Sequence, residues 1–383
     1  MKKLLYILIF FPSFILAQQT YVPDDAFEGF LEANGMGNGI SNDDYVTTSK
    51  IDTVTILNIM YFLYPSDLTG IEDFTLLEQL DCSQLQLTNL DISQNTALTY
   101  LNCSYNQLIF LDVSNNAALT ELYCSGNQIT SLDVSANTAL TKLHCNGNFP
   151  YGNPTSNLNV NSNIALTELD CSENGLTTLD LSQNASLIYL NCSENNLTTL
   201  NLSQNTSLTY LNCARNWVLT GLDVSANTAL EYLDCHDNLV NIVELSNHLS
   251  LVYLYCQDNK IISLDLSQNS NLIELSCGDN QLTSLNIRNG NNNNLTYFSC
   301  DDNFSLSCIN VDDVAWATTN LTDLDPQHYF STNCPATSIQ EHTTNKELLK
   351  LTDLLGRETK GKKNQPLFYI YDDGTVEKRI TID

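Results

Sequence analysis

Eleven of the thirteen cysteines recur at a nearly constant interval along the chain. Most intervals are 21 residues, one is 26, and intervals of 22 and 23 occur near the end of the run; the residues are Cys82, Cys103, Cys124, Cys145, Cys171, Cys192, Cys213, Cys235, Cys256, Cys277 and Cys300. A period of this length is typical of proteins in which each repeat forms one coil and stacks on its neighbours. The period therefore predicts a solenoid.

The repeat unit is itself nested. Residues 98–119 read LTYLNCSYNQLIFLDVSNNAAL, with a first half L-x-x-L-x-C-x-x-N-x-L and a second half L-x-x-L-D-V-S-x-N-x-x-L. A period of 10 or 11 residues thus lies inside the period of 21. The pattern resembles the leucine-rich-repeat proteins, in the nested 21-residue class called IRREKO, and the resemblance covers residues 77–303. It implies a β-rich solenoid of parallel strands that is capped at both ends.

The repeat also separates inward from outward side chains. In each L-x-C segment alternate residues point to the same side of a strand, so the leucine and the cysteine face the core. No C-x-x-C motif occurs, and a buried cysteine packs as a small hydrophobic residue. An asparagine in each turn can supply a donor and an acceptor to buried backbone groups: Asn106, Asn127, Asn174, Asn195, Asn216, Asn238, Asn259 and Asn280. His248 and Gly290 break a second asparagine column and predict less regular coils there.

The N-terminus has the pattern of an export signal. Lys2 and Lys3 precede an apolar run that ends near Ala17, so residues 1–17 are predicted to be a signal peptide. No other apolar segment is long enough to span a membrane. We therefore expect a secreted protein that is either extracellular or attached to the outer cell surface.

Caps are expected at both ends of the repeats, because a solenoid must cover its exposed core. Residues 18–76 are predicted to form an N-terminal cap, with a short helix over 26–33 followed by degenerate half-repeats. Residues 304–335 are predicted to form a C-terminal cap. Cys308 and Cys334 lie there, outside the cysteine column, and in an exported protein they are predicted to form a structural disulfide.

The last segment, residues 338–383, differs from the acidic repeats in its mixed charge. Its alternating apolar strands and Gly turns predict a small all-β domain. It resembles the C-terminal sorting domain of the Bacteroidetes type IX secretion system, and the matching positions are Asp353, Gly356, Arg357, Gly374 and Lys378. The resemblance implies transport by that secretion machinery, then removal of the tail, with either release or attachment to surface lipopolysaccharide.

Charge excludes one class of partner. Residues 18–335 contain 36 Asp and Glu against five Lys and Arg, so nucleic-acid binding is not expected. Carboxylates dominate one column of the second half-repeat: Asp91, Asp112, Asp133, Asp180, Asp223, Glu244 and Asp265. We predict that these are solvated and bonded to neighbouring serines, with no metal bound; a calcium site is the alternative.

A tyrosine row marks the candidate binding face. Tyr189, Tyr210, Tyr232 and Tyr253 lie three residues before successive column cysteines, and Asp234 and Tyr255 lie one residue before two of them. Tyrosine offers rigid apolar area with a hydroxyl group, which suits protein anchors and sugar rings. The alternative is an aromatic ladder that only stabilises the sheet.

No catalytic motif is present. None of the five histidines lies in H-E-x-x-H, and neither a G-x-S-x-G elbow nor a phosphate loop occurs. The chain is predicted to be a non-enzymatic recognition protein without a cofactor, which binds a protein or glycan on a surface. The alternative is a structural component of the cell surface or matrix without a dedicated ligand. The acidic body favours soluble monomers and hence the first hypothesis.

Overall fold

The structure is a computed structural model that describes residues 18–59, 64–148, 158–335, 348–352, 359, 366–371 and 376–380. The predicted signal peptide lies outside these residues. The chain divides into two compact units, Met1–Cys334 and Pro335–Asp383. Within the described part, no helix has both the length and the apolar character needed to cross a membrane.

The N-terminal cap contains the expected short helix. Its elements are β1 (Gln19–Tyr21), α1 (Asp25–Ala33), β2 (Tyr45–Thr47) and α2 (Thr48–Ile51), and β1 pairs with β2 antiparallel. Asp24 is the N-cap of α1, because its Oδ1 accepts the backbone N–H groups of Ala26 and Phe27, both at 2.9 Å. Its Oδ2 accepts the backbone N–H of Ser66 at 2.9 Å, which ties the helix to the segment leading into the repeats.

One parallel sheet runs through the first unit, with one short strand from each coil. Within the described residues it has 12 strands: β3 (Ile56–Asn58), β4 (Gln79–Asp81), β5 (Tyr100–Asn102), β6 (Glu121–Tyr123), β7 (Lys142–His144), β8 (Glu168–Asp170), β9 (Tyr189–Asn191), β11 (Tyr210–Asn212), β13 (Tyr232–Asp234), β14 (Tyr253–Tyr255), β16 (Glu274–Ser276) and β18 (Tyr297–Ser299). Equivalent residues pair in register, as Leu211 does with Leu190 and Leu233. The prediction of a parallel-strand solenoid is confirmed.

The sheet begins earlier than the regular repeats do. Residues 56–58, in the segment predicted to hold degenerate half-repeats, form its first strand, and Leu57 pairs with Leu80 of β4. Further strands lie in the second half-repeats: β10 (Leu200–Asn201), β12 (Leu222–Asp223), β15 (Ser263–Asp265) and β17 (Ser284–Asn286). These pair in parallel as β10 with β12 and as β15 with β17.

The core is a stack of leucine and cysteine side chains. All eleven column cysteines are buried and none is in a disulfide. The turn asparagines are buried as well, and each bonds to backbone groups of two coils. Asn195 shows the arrangement, with Nδ2 donating to the carbonyls of Cys171 and Cys192, both at 3.0 Å, and Oδ1 accepting the N–H of Leu176 at 2.8 Å.

The C-terminal cap extends the second-half sheet. Its elements are β19 (Cys308–Asn310), α3 (Val314–Asn320) and β20 (Tyr329–Ser331), and β19 lies between β17 and β20. Asp313 caps α3 by accepting the backbone N–H of Ala315 at 2.8 Å. The structure joins Cys308 to Cys334 in a disulfide, with their Cα atoms 5.7 Å apart.

Removing this disulfide should weaken the cap. The bond closes a loop with a sequence separation of 26, for which the chain-entropy model gives about 3.5 kcal/mol. We expect the double variant Cys308→Ala/Cys334→Ala to lose the cap at lower denaturant concentration, measured by limited proteolysis across a urea series. Reductant should shift the wild type to the same behaviour and leave the variant unchanged. The expectation is contradicted if the wild type loses its cap at the same urea concentration with and without reductant.

The second unit is described in part. Its described strands are β21 (Leu348–Thr352), β22 (Pro366–Tyr371) and β23 (Val376–Ile380), which form a three-stranded antiparallel sheet. Of the positions that match the sorting-domain pattern, Lys378 lies in β23 opposite Phe368. The other four, Asp353, Gly356, Arg357 and Gly374, lie outside the described residues.

Candidate recognition face

The predicted tyrosine row forms a continuous stack on the outer face of the main sheet. The rings of Tyr189 and Tyr210 lie 4.4 Å apart with an interplanar angle of 13°, and those of Tyr210 and Tyr232 lie 4.3 Å apart at 9°. Tyr253 continues the row, with its ring 6.0 Å from that of Tyr232 and tilted by 47°. In-register pairing of β9, β11, β13 and β14 places the rings one above another, and each tyrosine is half-buried.

The other two predicted residues join the row at Tyr232. The ring of Tyr255 lies 5.7 Å from that of Tyr232, and the Tyr255 hydroxyl donates to Glu274. Asp234 is buried and bonds to the ring Nδ1 of His236 at 2.6 Å. His236 was not among the predicted site residues. It lies just after a strand, where the alternation of inward and outward side chains no longer predicts the orientation of the ring.

Electrostatics keep this face protonated. Burial raises the pKa of Tyr189, and Tyr210 and Asp170 add to the effect. Burial also raises the pKa of Tyr232, with Asp234 as the next cause. The Asp234 carboxylate raises the pKa of His236 by accepting its hydrogen bond. Tyr189 and Tyr232 therefore keep their hydroxyl protons at physiological pH.

A second aromatic cluster lies on the same sheet, nearer the N-terminus, and was not predicted as a site. The rings of Tyr100 and Tyr123 lie 5.5 Å apart, and that of Tyr123 lies 4.9 Å from the ring of His144. Tyr105, in the turn after β5, is 63% exposed beside them. These residues line a shallow groove of about 360 Å³. The sequence indicates this cluster only weakly, because the aromatic residues occupy three different positions within the repeat.

Known structures share this architecture. The chain is similar to the functional domain of InlJ from Listeria monocytogenes, a structure that includes a cysteine ladder, with a TM-score of 0.62 and 26% identity over 96% of this chain and 99% of that chain. It is also similar to the internalin inlF from Listeria monocytogenes str. 4b F2365, with a TM-score of 0.58 and 21% identity over 82% and 96%. The solenoid is a leucine-rich-repeat fold. No family model and no curated protein sequence matches the chain.

The acidic column of the leucine-rich-repeat solenoid has local partners. Asp91, Asp112 and Asp133 each accept the backbone N–H of the serine two residues later, at 2.9 to 3.0 Å. The same contact occurs at Asp180 and Asp223. Hydrogen bonds from these serines lower the pKa of all five carboxyl groups. The contacts match the serine-bonded arrangement expected from the sequence.

The directions of the pKa shifts predict that the fold is most stable at a pH below neutral. A carboxyl group whose pKa is lower in the folded than in the unfolded chain stabilises the fold at pH values above its unfolded pKa. That stabilisation is lost as pH falls through the folded pKa, so protonation of the five carboxyl groups weakens the fold below about pH 3.5. Burial raises the pKa of Asp258 and Asp279 in the folded state, so protonating them as pH falls from 7 stabilises the fold. His236, with its raised pKa, acts in the same direction. Melting temperatures measured from pH 2 to 8 should peak near pH 4 to 5; a plateau from 5 to 8 would contradict this.

Proposed function

We propose that this chain is a non-catalytic recognition protein that binds a protein or glycan partner through its tyrosine face, formed by Tyr189, Tyr210, Tyr232, Tyr253, Tyr255 and Asp234. The stacked row of half-buried rings is the observation that carries the proposal. Leucine-rich-repeat solenoids present extended surfaces of the kind that proteins use for binding. The likeness to internalin structures supports the fold on which this face depends.

The geometry suits binding because the rings are already ordered. Each ring is held by its neighbours on the next strands, so a partner would not have to immobilise flexible side chains. Tyrosine is enriched at the energetic centres of interfaces. The hydroxyl groups of the row lie along one line and can take part in hydrogen bonds with a partner. A rigid apolar strip with regularly spaced donors fits an extended partner rather than a small enclosed one.

The experiment compares two sets of variants on an array of glycans and surface proteins. Tyr210→Ser/Tyr232→Ser removes the centre of the stack, and we expect at least a tenfold loss of affinity for the partner that the wild type captures. Tyr297→Ser is the matched control, because Tyr297 occupies the same column in β18 and is 47% exposed, without a ring contact among the described residues. Thermal unfolding of each variant separates lost binding from lost folding.

Two results would reject the tyrosine face. If the double variant binds as tightly as the wild type, the row only stabilises the sheet, as cross-strand aromatic pairs can. If the wild type captures no partner and instead self-associates in sedimentation experiments, the structural-component hypothesis is favoured.

We also propose that the chain is exported, with residues 1–17 as a signal peptide and residues 338–383 as a type IX sorting domain. The first unit is strongly acidic, whereas the second has mixed charge and its own small antiparallel sheet. This contrast supports a role for the tail that differs from that of the repeats. Deleting residues 338–383 in a Bacteroidetes host should leave the protein in the periplasm. Secretion of the truncated protein at wild-type levels would reject the sorting role.

A further inference from the structure

We propose that the groove between Tyr100, Tyr105, Tyr123 and His144 is a second binding site, specific for neutral saccharides. It is separate from the tyrosine face, since β8 lies between β7, which carries His144, and β9, which carries Tyr189. At about 4.8 Å per strand, the nearest strands of the two clusters are roughly 10 Å apart. The proposal therefore stands independently of the proposed function.

The first observation is the angle between the rings. In the tyrosine face the central rings stack almost parallel, whereas here Tyr100 and Tyr123 are tilted by 44°, and Tyr123 and His144 by 56°. Tilted rings form walls instead of a flat strip. The walls are fixed in place, because the Tyr123 hydroxyl donates to Glu121 at 2.8 Å and the His144 ring bonds to Glu168 at 2.8 Å.

The second observation is how Tyr105 is seated. A Cβ atom placed on Gly126 would come within 2.6 Å of Cδ1 in the Tyr105 ring, so the ring lies directly over this glycine. Gly126 has a φ of 63°, yet the same turn position in other coils accepts Gln84, Glu173 and Glu194 at φ of 53° to 60°. The backbone does not require glycine here. What the glycine provides is room for the ring, whose other face is open to solvent.

The third observation is charge. The groove is lined by tyrosine, serine, asparagine, glutamine and histidine, without Asp, Glu, Lys or Arg, in a segment that holds 36 acidic residues. The turn position two residues after each column cysteine is uncharged in the four coils around the groove and charged in the seven that follow: Gln84, Tyr105, Gly126 and Gly147, then Glu173, Glu194, Arg215, Asp237, Asp258, Asp279 and Asp302. The acidic surroundings repel anions, and the nearby carboxylates of Glu121 and Glu168 are engaged by the Tyr123 hydroxyl and the His144 ring.

A neutral saccharide fits what remains. The negative face of an aromatic ring attracts the polarised C–H groups on the flat side of a sugar ring. Side-chain amides supply donors and acceptors for its hydroxyl groups. Asn146 has such a donor to spare, since its Oδ1 accepts the Ser125 hydroxyl while its Nδ2 has no partner among the described residues. Aromatic walls with a few convergent polar groups are the usual composition of a ligand pocket.

The test measures binding of defined saccharides to the full chain by saturation-transfer NMR. The probes are maltotriose, cellotriose, laminaritriose, mannotriose and tri-N-acetylchitotriose, with trigalacturonate as the charged comparison. We expect at least one neutral trisaccharide to bind and trigalacturonate to bind at least tenfold more weakly. Tyr105→Ala and Gly126→Ala should each weaken binding of the neutral probe at least tenfold.

Gly147→Ala is the matched control. Gly147 has a φ of 65°, so an alanine there meets the same backbone strain as one at position 126, but the atoms nearest its Cβ are backbone atoms of Gly126 at 3.8 Å or more. This variant should bind within twofold of the wild type. The proposal is overturned if no neutral probe binds, if trigalacturonate binds best, or if Tyr105→Ala and Gly126→Ala bind as the wild type does.

Discussion

Replacing Asn195 with alanine is expected to lower the free energy of unfolding by about 3 to 5 kcal/mol. The Asn195 amide donates to the carbonyls of Cys171 and Cys192, and its oxygen accepts the backbone N–H groups of Leu176 and Asn174. Alanine would leave these four groups without their partner in a region that water does not reach. Each unsatisfied buried group costs about 1 to 3 kcal/mol, and partial relaxation of the coil reduces the sum.

The next residue in the chain provides the control. Asn196 is exposed. Among the described residues, only its backbone N–H makes a hydrogen bond, to the carbonyl of Leu176 at 2.8 Å, and alanine retains it. Asn196→Ala should change the free energy of unfolding by less than about 0.5 kcal/mol. Urea denaturation followed by circular dichroism measures both variants. Equal effects of the two substitutions would show that the turn asparagine does not join the coils.

The register of the main sheet was predictable because the repeat leaves little choice. A slip of one residue would turn a leucine outward and a polar residue inward. The spacing of the column cysteines therefore fixed which residues pair, and Tyr189, Tyr210 and Tyr232 lie opposite one another as expected. The candidate face follows from the same regularity, since outward positions are determined once the inward ones are known.

The departures from regularity were harder to predict. His248 interrupts the second asparagine column, so the sequence indicates a less regular coil. In the structure the turn at His248 keeps its backbone bonds, with the ring Nε2 donating to the carbonyl of Val224 at 3.0 Å, whereas Gly290 is followed by a 3-10 helix, Asn292–Asn294. The seat of Tyr105 on Gly126 was missed for a related reason. The ring of Tyr105 packs on a glycine of the next coil, and the spacing of residues along the sequence does not predict the orientation of a ring.

The cysteine column predicts unfolding at moderately alkaline pH. Burial is the largest cause of a raised pKa at nine of its thiols: Cys82, Cys103, Cys124, Cys145, Cys171, Cys192, Cys213, Cys235 and Cys256. The pKa of Cys103 and that of Cys192 rise to about 12. Because the thiol pKa is higher in the folded chain than in the unfolded chain, where it is about 8.5, the fold keeps its full stability below about pH 8.5. Above that pH the unfolded chain gains stability by ionising its thiols, so the fold loses stability as pH increases.

The magnitude decides the outcome. At pH 10 each such thiol favours the unfolded chain by about 2 kcal/mol, and nine together exceed the roughly 5 to 15 kcal/mol that stabilises a typical domain. We expect the far-ultraviolet dichroism to collapse cooperatively between about pH 9 and 10.5, with thiolate absorbance and reactivity toward a thiol reagent appearing at the same pH. At pH 8 none of the column thiols should react.

The double variant Cys308→Ala/Cys334→Ala separates this effect from alkaline damage to the disulfide. It keeps every column thiol, so its transition should be as steep as that of the wild type even if its midpoint is lower. Thiolate absorbance that rises near pH 8.5 while the dichroism is unchanged would mean that water reaches the sulfur atoms in the folded chain. The leucine and cysteine columns would then not form a common core, and the outward faces assigned from them would have to be redrawn.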